Sequence, residues 1–350
     1  MQEHHNPLGL SGFEFIEFSA PDPEYLINRF HQLGMVATAR HRSKDVTLYQ
    51  QGQINFILNA ESNSQAAEHA KQHGPGACAM GFRVANAQQA LSYAVEHGAK
   101  PFISRVAPGE LIIPAIRGIG NSVIYFIDRF EEQTVYDIDF VTTLHDANLI
   151  TAGLIRIDHL THNVKQGHMD HWAHFYERIF NFREIRYFDI QGQHTGLLSR
   201  AMASPCGTIK IPLNESKDEK SQIAEFLTEY KGEGIQHIAL TTDDIYSSVE
   251  WLRRQDLQFL DVPDTYYQMI VERMDWHHED LNRLQQDKIL IDGGKIEADG
   301  LLLQIFTENM FGPAFIEIIQ RKGHEGFGEG NFQALFEAIE RDQIQRGVLS

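Results

Sequence analysis

The sequence predicts an α+β chain in which one strand-helix-strands unit recurs four times and pairs into two halves. Two observations predict it. Four stretches share the order short strand, polar loop, amphipathic helix. Each of these is followed by further runs with the period of strands rather than helices. A hydrophobic content of 42% over 350 residues supplies the apolar material for two cores.

The first unit opens at Gly12, "GFEFIEFSAPDPEYLINRFHQLGM", and continues in "VTLYQQGQINFIL" from Val46 to Leu58. The second starts at Ala79, "AMGFRVANAQQALSYAVEHGAK", and returns in "NSVIYFIDRF" from Asn121 to Phe130. The polar "EEQTVYDIDFVTTLHDAN", Glu131 to Asn148, reads as a linker between halves. The third unit, from Ile155, carries the clearest helix, with Trp172, Phe175, Tyr176, Ile179 and Phe180 on one face. The fourth starts at Gly234, "GIQHIALTTDDIYSSVEWLRRQDL", and ends in "LLLQIFT" (Leu301 to Thr307) and "PAFIEIIQRKG" (Pro313 to Gly323). It also holds an insertion from about Pro263 to Gly294, expected to be helical in part. "GNFQALFEAIERDQIQRG" predicts a last helix whose stripe of Phe332, Leu335, Phe336 and Ile339 packs on the second half. Domains are therefore expected over 10–135 and 152–345.

Composition excludes several function classes. The formal net charge of −18 disfavours nucleic acid and anionic membrane surfaces as partners. No apolar run approaches the roughly 20 residues that span a bilayer. The start "MQEHHNPLGL" has no basic segment leading into an apolar one, so no secretion signal is expected. Two cysteines, Cys78 and Cys206, form no disulfide framework and suit a cytoplasmic setting. GxxxxGK[ST], HExxH and CxxC patterns are missing, and the glycine-rich "GIGNS" and "GEGNF" lack a phosphate-loop context.

Chemistry enters through "FIEII". Strand side chains alternate, so Glu317 shares a face with Phe315 and Ile319. An ionised carboxylate there requires a compensating charge. The first strands of units three and four carry His159 and His237, where units one and two are read as having Glu17 and Gly81. Glu317 itself aligns with Tyr125 of unit two. Two histidines and a carboxylate at repeat-equivalent positions leave open positions on an octahedral metal, the pattern of non-haem Fe(II) oxygenases. Taken singly, each histidine among the 18 is more often a hydrogen-bonded core residue, and Arg321 is an alternative partner for Glu317. His168, His171 and His174 read as a solvated helix face, His277 and His278 as exposed, and Cys206 as a packed small residue.

Eight segments in order, "IDHLTHNV", "GLLSRAMAS", "IPLNESKDEKSQI", "GEGIQHIAL", "VPDTYYQMI", "DGLLLQIFT", "FIEIIQRKG" and "GFGEGNFQALFEAIE", resemble the 4-hydroxyphenylpyruvate dioxygenase family, in its bacterial, legiolysin-like branch. "HGPGACAMGFRV" and "IGNSVIYFIDR" extend the resemblance to the first half. It implies the vicinal-oxygen-chelate fold, like that of glyoxalases and extradiol dioxygenases, with the four units paired into two open-barrel domains. It implies Fe(II) held by His159, His237 and Glu317. It also implies a substrate pocket built from Ser199, Asn214, Gln222, Gln236, Gln304 and Phe306, with Phe315 and Phe327 as an aromatic wall. Asn331 and Phe332 would open a gating C-terminal helix. Glu329 departs from the basic or small residue of many relatives. The implied reaction turns 4-hydroxyphenylpyruvate and O2 into homogentisate and CO2 in tyrosine catabolism. Some members carry a haemolysin label because their product oxidises to a brown pigment. Homodimers or homotetramers are implied. Alternatives are 4-hydroxymandelate synthase, with Phe332 bearing on the choice, and a non-catalytic small-molecule binding protein of the same fold.

Overall fold

A computed structural model of the chain describes residues 5–143, 151–191, 196–217, 221–294, 296–331 and 334. The first half runs β1 (Gly12–Ser19), α1 (Pro23–Gln32), β2 (Val36–His41), β3 (Val46–Gln51), β4 (Ile54–Asn59), α2 (Gln65–His73), β5 (Gly76–Arg83), α3 (Ala87–Glu96), β6 (Pro101–Phe102), β7 (Ala115–Arg117), β8 (Val123–Ile127), α4 (Val135–Asp139) and β9 (Phe140–Thr142). The second runs β10 (Leu154–Val164), α5 (Met169–Phe180), β11 (Arg183–Gln191), β12 (Gly196–Ala203), β13 (Lys210–Ser216), α6 (Gln222–Glu229), β14 (Gly234–Thr242), α7 (Ile245–Arg254), α8 (Asp264–Arg273), α9 (Leu281–Asp287), β15 (Leu290–Gly293), β16 (Leu301–Phe306) and β17 (Phe315–Lys322). No helix among the described residues is long and apolar enough to cross a membrane.

Each unit is a strand, a helix and three strands. The second sheet has the order β11-β12-β13-β10-β14-β17-β16-β15, and the first repeats it as β2-β3-β4-β1-β5-β8-β7-β6, with β9 added beyond β2. Helix starts follow from short polar caps. Asp22, Ser64, Asn86, Ser221 and Asp244 each accept a first-turn backbone N–H, and Pro23 fits the first helical position.

Three expectations need correcting. The polar segment from Glu131 is no plain linker: α4 begins at a Thr134–Asp137 capping box, and β9 pairs with β2. The insertion is helical in α8 and α9, but its end, β15, pairs with β16 and is a true repeat strand. The unit alignment that set Glu17 and Gly81 opposite the histidines slips by two residues. His159, Ala239 and Glu317 lie side by side across β10, β14 and β17, and their counterparts are Phe15, Gly81 and Tyr125 across β1, β5 and β8. By the same register Ala79 stands for His237. A slip of two keeps every side chain on its face, so the apolar pattern alone could not detect it.

The α5 stripe buries Tyr176, Ile179 and Phe180 completely and Trp172 and Phe175 in part. Phe180 reaches across the halves, its ring 5.4 Å from Phe82 and 6.1 Å from Phe126. Phe311 packs likewise on Phe18 and Phe30 of the first half. One apolar core therefore runs through both halves. Gly120 marks one close approach of the two halves: at φ +58° an added Cβ would stand 2.2 Å from the Glu233 carbonyl oxygen.

Candidate metal centre

β10, β14 and β17 are adjacent, so strand pairing alone gathers residues that are far apart in sequence. His159, His237 and Glu317, all buried, offer ligand atoms that lie within 4.8 Å of one another. Glu317 Oε2 is 3.1 Å from His159 Nε2 and 3.4 Å from His237 Nε2. Each imidazole is anchored through its other nitrogen. His159 Nδ1 bonds Asp158 Oδ2 at 2.8 Å, and His237 Nδ1 meets Gln236 Oε1 at 3.1 Å. Nδ1–H donation to those acceptors leaves both Nε2 lone pairs facing the carboxylate, the arrangement a divalent cation requires. Phe315 stacks on the His237 ring at 5.0 Å, and Phe327 meets His159 edge-on at 5.3 Å.

The electrostatics agree. Burial pushes the Glu317 carboxyl up, but the two histidines outweigh it and hold its pKa at about 2. Burial lowers His159 too, yet Glu317 and Asp158 raise it on balance. For His237 burial wins over Glu317 and the pKa falls. Arg321 is not the partner of Glu317. Its guanidinium makes a two-point pair with Asp158, at 3.0 and 2.8 Å. The third nitrogen, Nη1, donates to the carbonyls of His324 and Gly326. Arg321 thus ties the carboxylate behind His159 to the loop leading to the last helix.

A second chain of bonds reaches the same loop. Gln304 Nε2 donates to Glu317 Oε1 at 2.9 Å, and its Oε1 accepts from Asn331 Nδ2 at 2.7 Å. Tyr266 hydroxyl holds Asn331 Oδ1 from the α8 side. Gly328 lets this loop pass over Gln304: its φ is +79°, and a Cβ would stand 1.9 Å from Gln304 Oε1.

A chamber opens beside the three residues, with about 30 Å³ of water-accessible space. Ser199, Asn214, Gln304, Phe306 and Phe327 of the expected pocket line it. Gln236 and Phe315 stand behind His237 rather than at the chamber wall, and Asn331 acts through Gln304. Gln222 is exposed at the start of α6 and is outside the lining. Phe332 lies outside the described residues, as does the rest of its helix stripe. Sequence reasoning missed Thr161, Phe188, Leu197 and Pro212 as lining residues. Thr161 and Pro212 were within reach, since each is two residues from a candidate on the same strand face. Leu197 stands in the same relation to Ser199 on β12; Phe188 carries no such signal and is brought in by its pairing opposite Ser199. Glu329 also lines the chamber, accepts from the Phe327 N–H at 3.0 Å and faces Arg186 at 4.0 Å.

Among the other histidines, His168 and His174 are exposed as expected, with His168 paired to Glu233 at 2.7 Å. His278 is exposed, but His277 is buried and accepts from the Glu279 N–H at 2.9 Å, a turn role that charge-based reading overlooked. Cys206 is half-buried against the core beside Ser204 and Thr208.

The family profile described as hydroxyphenylpyruvate dioxygenase, N-terminal, matches residues 4–141. That of the glyoxalase/bleomycin resistance protein/dioxygenase superfamily matches residues 156–271. The chain is 59% identical over 348 residues to 4-hydroxyphenylpyruvate dioxygenase of Legionella pneumophila (strain Corby), covering 99% of both. It is 57% identical over 351 residues to Hemolysin VllY of Vibrio vulnificus (strain CMCP6), covering 99% of this chain and 98% of that one. Among solved structures it is similar to a xylose isomerase-like TIM barrel/4-hydroxyphenylpyruvate dioxygenase fusion protein. The TM-score is 0.80 at 34% identity over 96% of this chain, which spans 54% of the fusion.

Proposed function

The chain belongs to the 4-hydroxyphenylpyruvate dioxygenase family, and on that footing we propose that it converts 4-hydroxyphenylpyruvate and O2 to homogentisate and CO2, with Fe(II) held by His159, His237 and Glu317. The observation that carries the assignment is the convergence of two anchored imidazoles and one acidified carboxylate on a single point at the edge of a narrow chamber. Bound there, Fe(II) supplies the redox chemistry with O2 and an electrophilic seat for a 2-oxo acid.

The chain's own residues bind, orient and exclude water. Asp158 and Gln236 fix the two rings so that neither turns its lone pair away. Gln304 donates to the Glu317 oxygen remote from the histidines and keeps the other oxygen turned to them. Ser199 and Asn214, neighbours across β12 and β13, give the chamber its hydroxyl and amide for the polar end of the substrate. Phe306 and Phe327 give the ring a dry wall. The chamber is narrow, and Phe327 and Glu329 line it, so lifting of the segment that carries them would widen it for an aromatic acid. Closure then shields the reaction from solvent. We further take residues 10–135 as a metal-free domain and 152–345 as the catalytic one, in a cytoplasmic homodimer or homotetramer. The acidic charge and two free cysteines support the cytoplasmic setting.

Anaerobic loading with Fe(II), followed by 4-hydroxyphenylpyruvate and O2 with chromatography of the products, tests the reading. Homogentisate with equimolar CO2 is expected. 4-Hydroxymandelate as the product, or iron bound without oxygen uptake, would overturn it.

A further inference from the structure

The first half keeps a cleft where the second has its chamber. It is an open cleft of about 810 Å³, and Glu17, Asn59, Gln65, Phe102, Arg117 and Tyr125 line it. The metal-type residues are replaced there. Phe15 and Tyr125 stand at the positions of His159 and Glu317, their rings 5.7 Å apart, and Ala79 stands for His237.

One pocket residue is kept, together with the helix start that follows it. Asn59 pairs with Val46 across β3 and β4 as Asn214 pairs with Ser199 across β12 and β13. After it, Ser64, Gln65, Ala67 and Glu68 repeat Ser221, Gln222, Ala224 and Glu225. Both serines cap their helices in the same way, accepting from Ala67 and Ala224 N–H groups. The first-half cleft thus lacks the metal-type residues but keeps the amide of Asn59, with Val46 in place of Ser199.

Its charge has also changed. Lys44 pairs with Glu110, but Lys71, Arg105 and Arg117 have no carboxylate partner among the described residues. In a chain of net charge −18, the four cations and four carboxylates that line this cleft, Glu61 and Glu68 among the latter, leave it close to neutral, with Lys71, Arg105 and Arg117 available to an anionic group. The Arg117 guanidinium lies 4.5 Å over the Phe102 ring, so aromatic surface adjoins positive charge. At the floor Glu17 is buried and accepts from Asn59 Nδ2 at 2.6 Å; burial, its largest influence, raises its pKa. The Tyr125 hydroxyl beside it has no hydrogen-bond partner among the described residues.

We propose that this cleft is a second small-molecule site that binds an aromatic carboxylate reversibly, without converting it. The cations take the carboxylate, Phe102 flanks the ring, and Glu17, Asn59 and Tyr125 receive a hydroxyl at the far end. The inference stands on the internal repeat and does not require the catalytic reading.

The test uses the full chain and 4-hydroxyphenylacetate as probe, with calorimetry for stoichiometry and hydrogen exchange for location. Protection is expected over residues 59–71 and 115–125. Arg117→Gln is expected to weaken that binding by about tenfold, the loss of one charge-assisted hydrogen bond, while turnover of 4-hydroxyphenylpyruvate is unchanged. Asn59→Ala, made separately, is expected to lower affinity for 4-hydroxyphenylacetate more than for phenylacetate. Protection confined to the second half would overturn the proposal. So would unchanged binding in Arg117→Gln, or tighter binding of inorganic phosphate or butyrate than of the aromatic acid.

Discussion

At the scale of single residues, the site is a problem in compensating a buried carboxylate. Glu317 is ionised in an apolar sheet because two imidazoles face it and Gln304 donates to it. Glu317→Gln keeps the shape and removes the charge. The expected outcome is loss of bound Fe(II), read by metal analysis, with far-UV dichroism and melting unchanged. His159→Ala and His237→Ala should behave alike, and full activity in any of the three would sink the ligand assignment. Gln236→Leu removes only the acceptor behind His237, so a smaller loss of metal affinity, about 10- to 100-fold, is expected by competition with a chelator. That the three residues belong together was legible in the sequence through the repeat and the family resemblance. That Asp158 and Gln236 orient the rings was not, since adjacency in sequence does not reveal which way a strand residue turns.

At the scale of elements, the loop after β17 is tied to the centre twice, through Arg321–Asp158 and through Asn331–Gln304. Arg321→Gln leaves Asp158 buried without its cation. Breaking such a pair costs about 3 kcal/mol or more, to be read as a lower midpoint in chemical unfolding. The double variant with Asp158→Asn should recover part of that loss, because no unpaired charge is left behind. Gly328→Ala places a methyl group against Gln304 at a φ that disfavours it. A fall of more than tenfold in kcat/KM with iron content retained is expected, a split that a general folding defect would not produce. The alternative of Arg321 as a partner for Glu317 does not hold, and only the tertiary fold shows Asp158 meeting the guanidinium from β10. Glu329, noticed in sequence as a departure, proves to line the chamber.

At the scale of the whole molecule, the two halves share one core and a polar seam. His69 and His73 on α2 meet Tyr230 of the second half: the Tyr230 hydroxyl is 3.1 Å from His69 Nε2, and its carbonyl 2.6 Å from His73 Nδ1. Burial, then the neighbouring His73, pushes the His69 pKa down to about 3. The folded chain therefore binds fewer protons there than the unfolded chain between that value and the ordinary one near pH 6.5. Stability that is full above about pH 6.5 should fall as the pH drops through this window, by up to about 1.4 kcal/mol per pH unit. Urea unfolding at pH 7.5 and 5.5 checks this, and His69→Gln should show the smaller decline. An equal decline in both would remove His69 from the account.

The sequence by itself determined the four units, their helices and the three residues on adjacent strands, because apolar periodicity, capping residues and repeat position are local or strictly ordered along the chain. It could not determine the register between units, since a slip of two leaves every face unchanged. It also left open the partner of Arg321, the fate of the segment after Glu131, and the place of Phe188 in the chamber wall. Those depend on which strand lies beside which, and on what a side chain meets once two distant segments are packed within a few ångströms. Only the tertiary structure decides that.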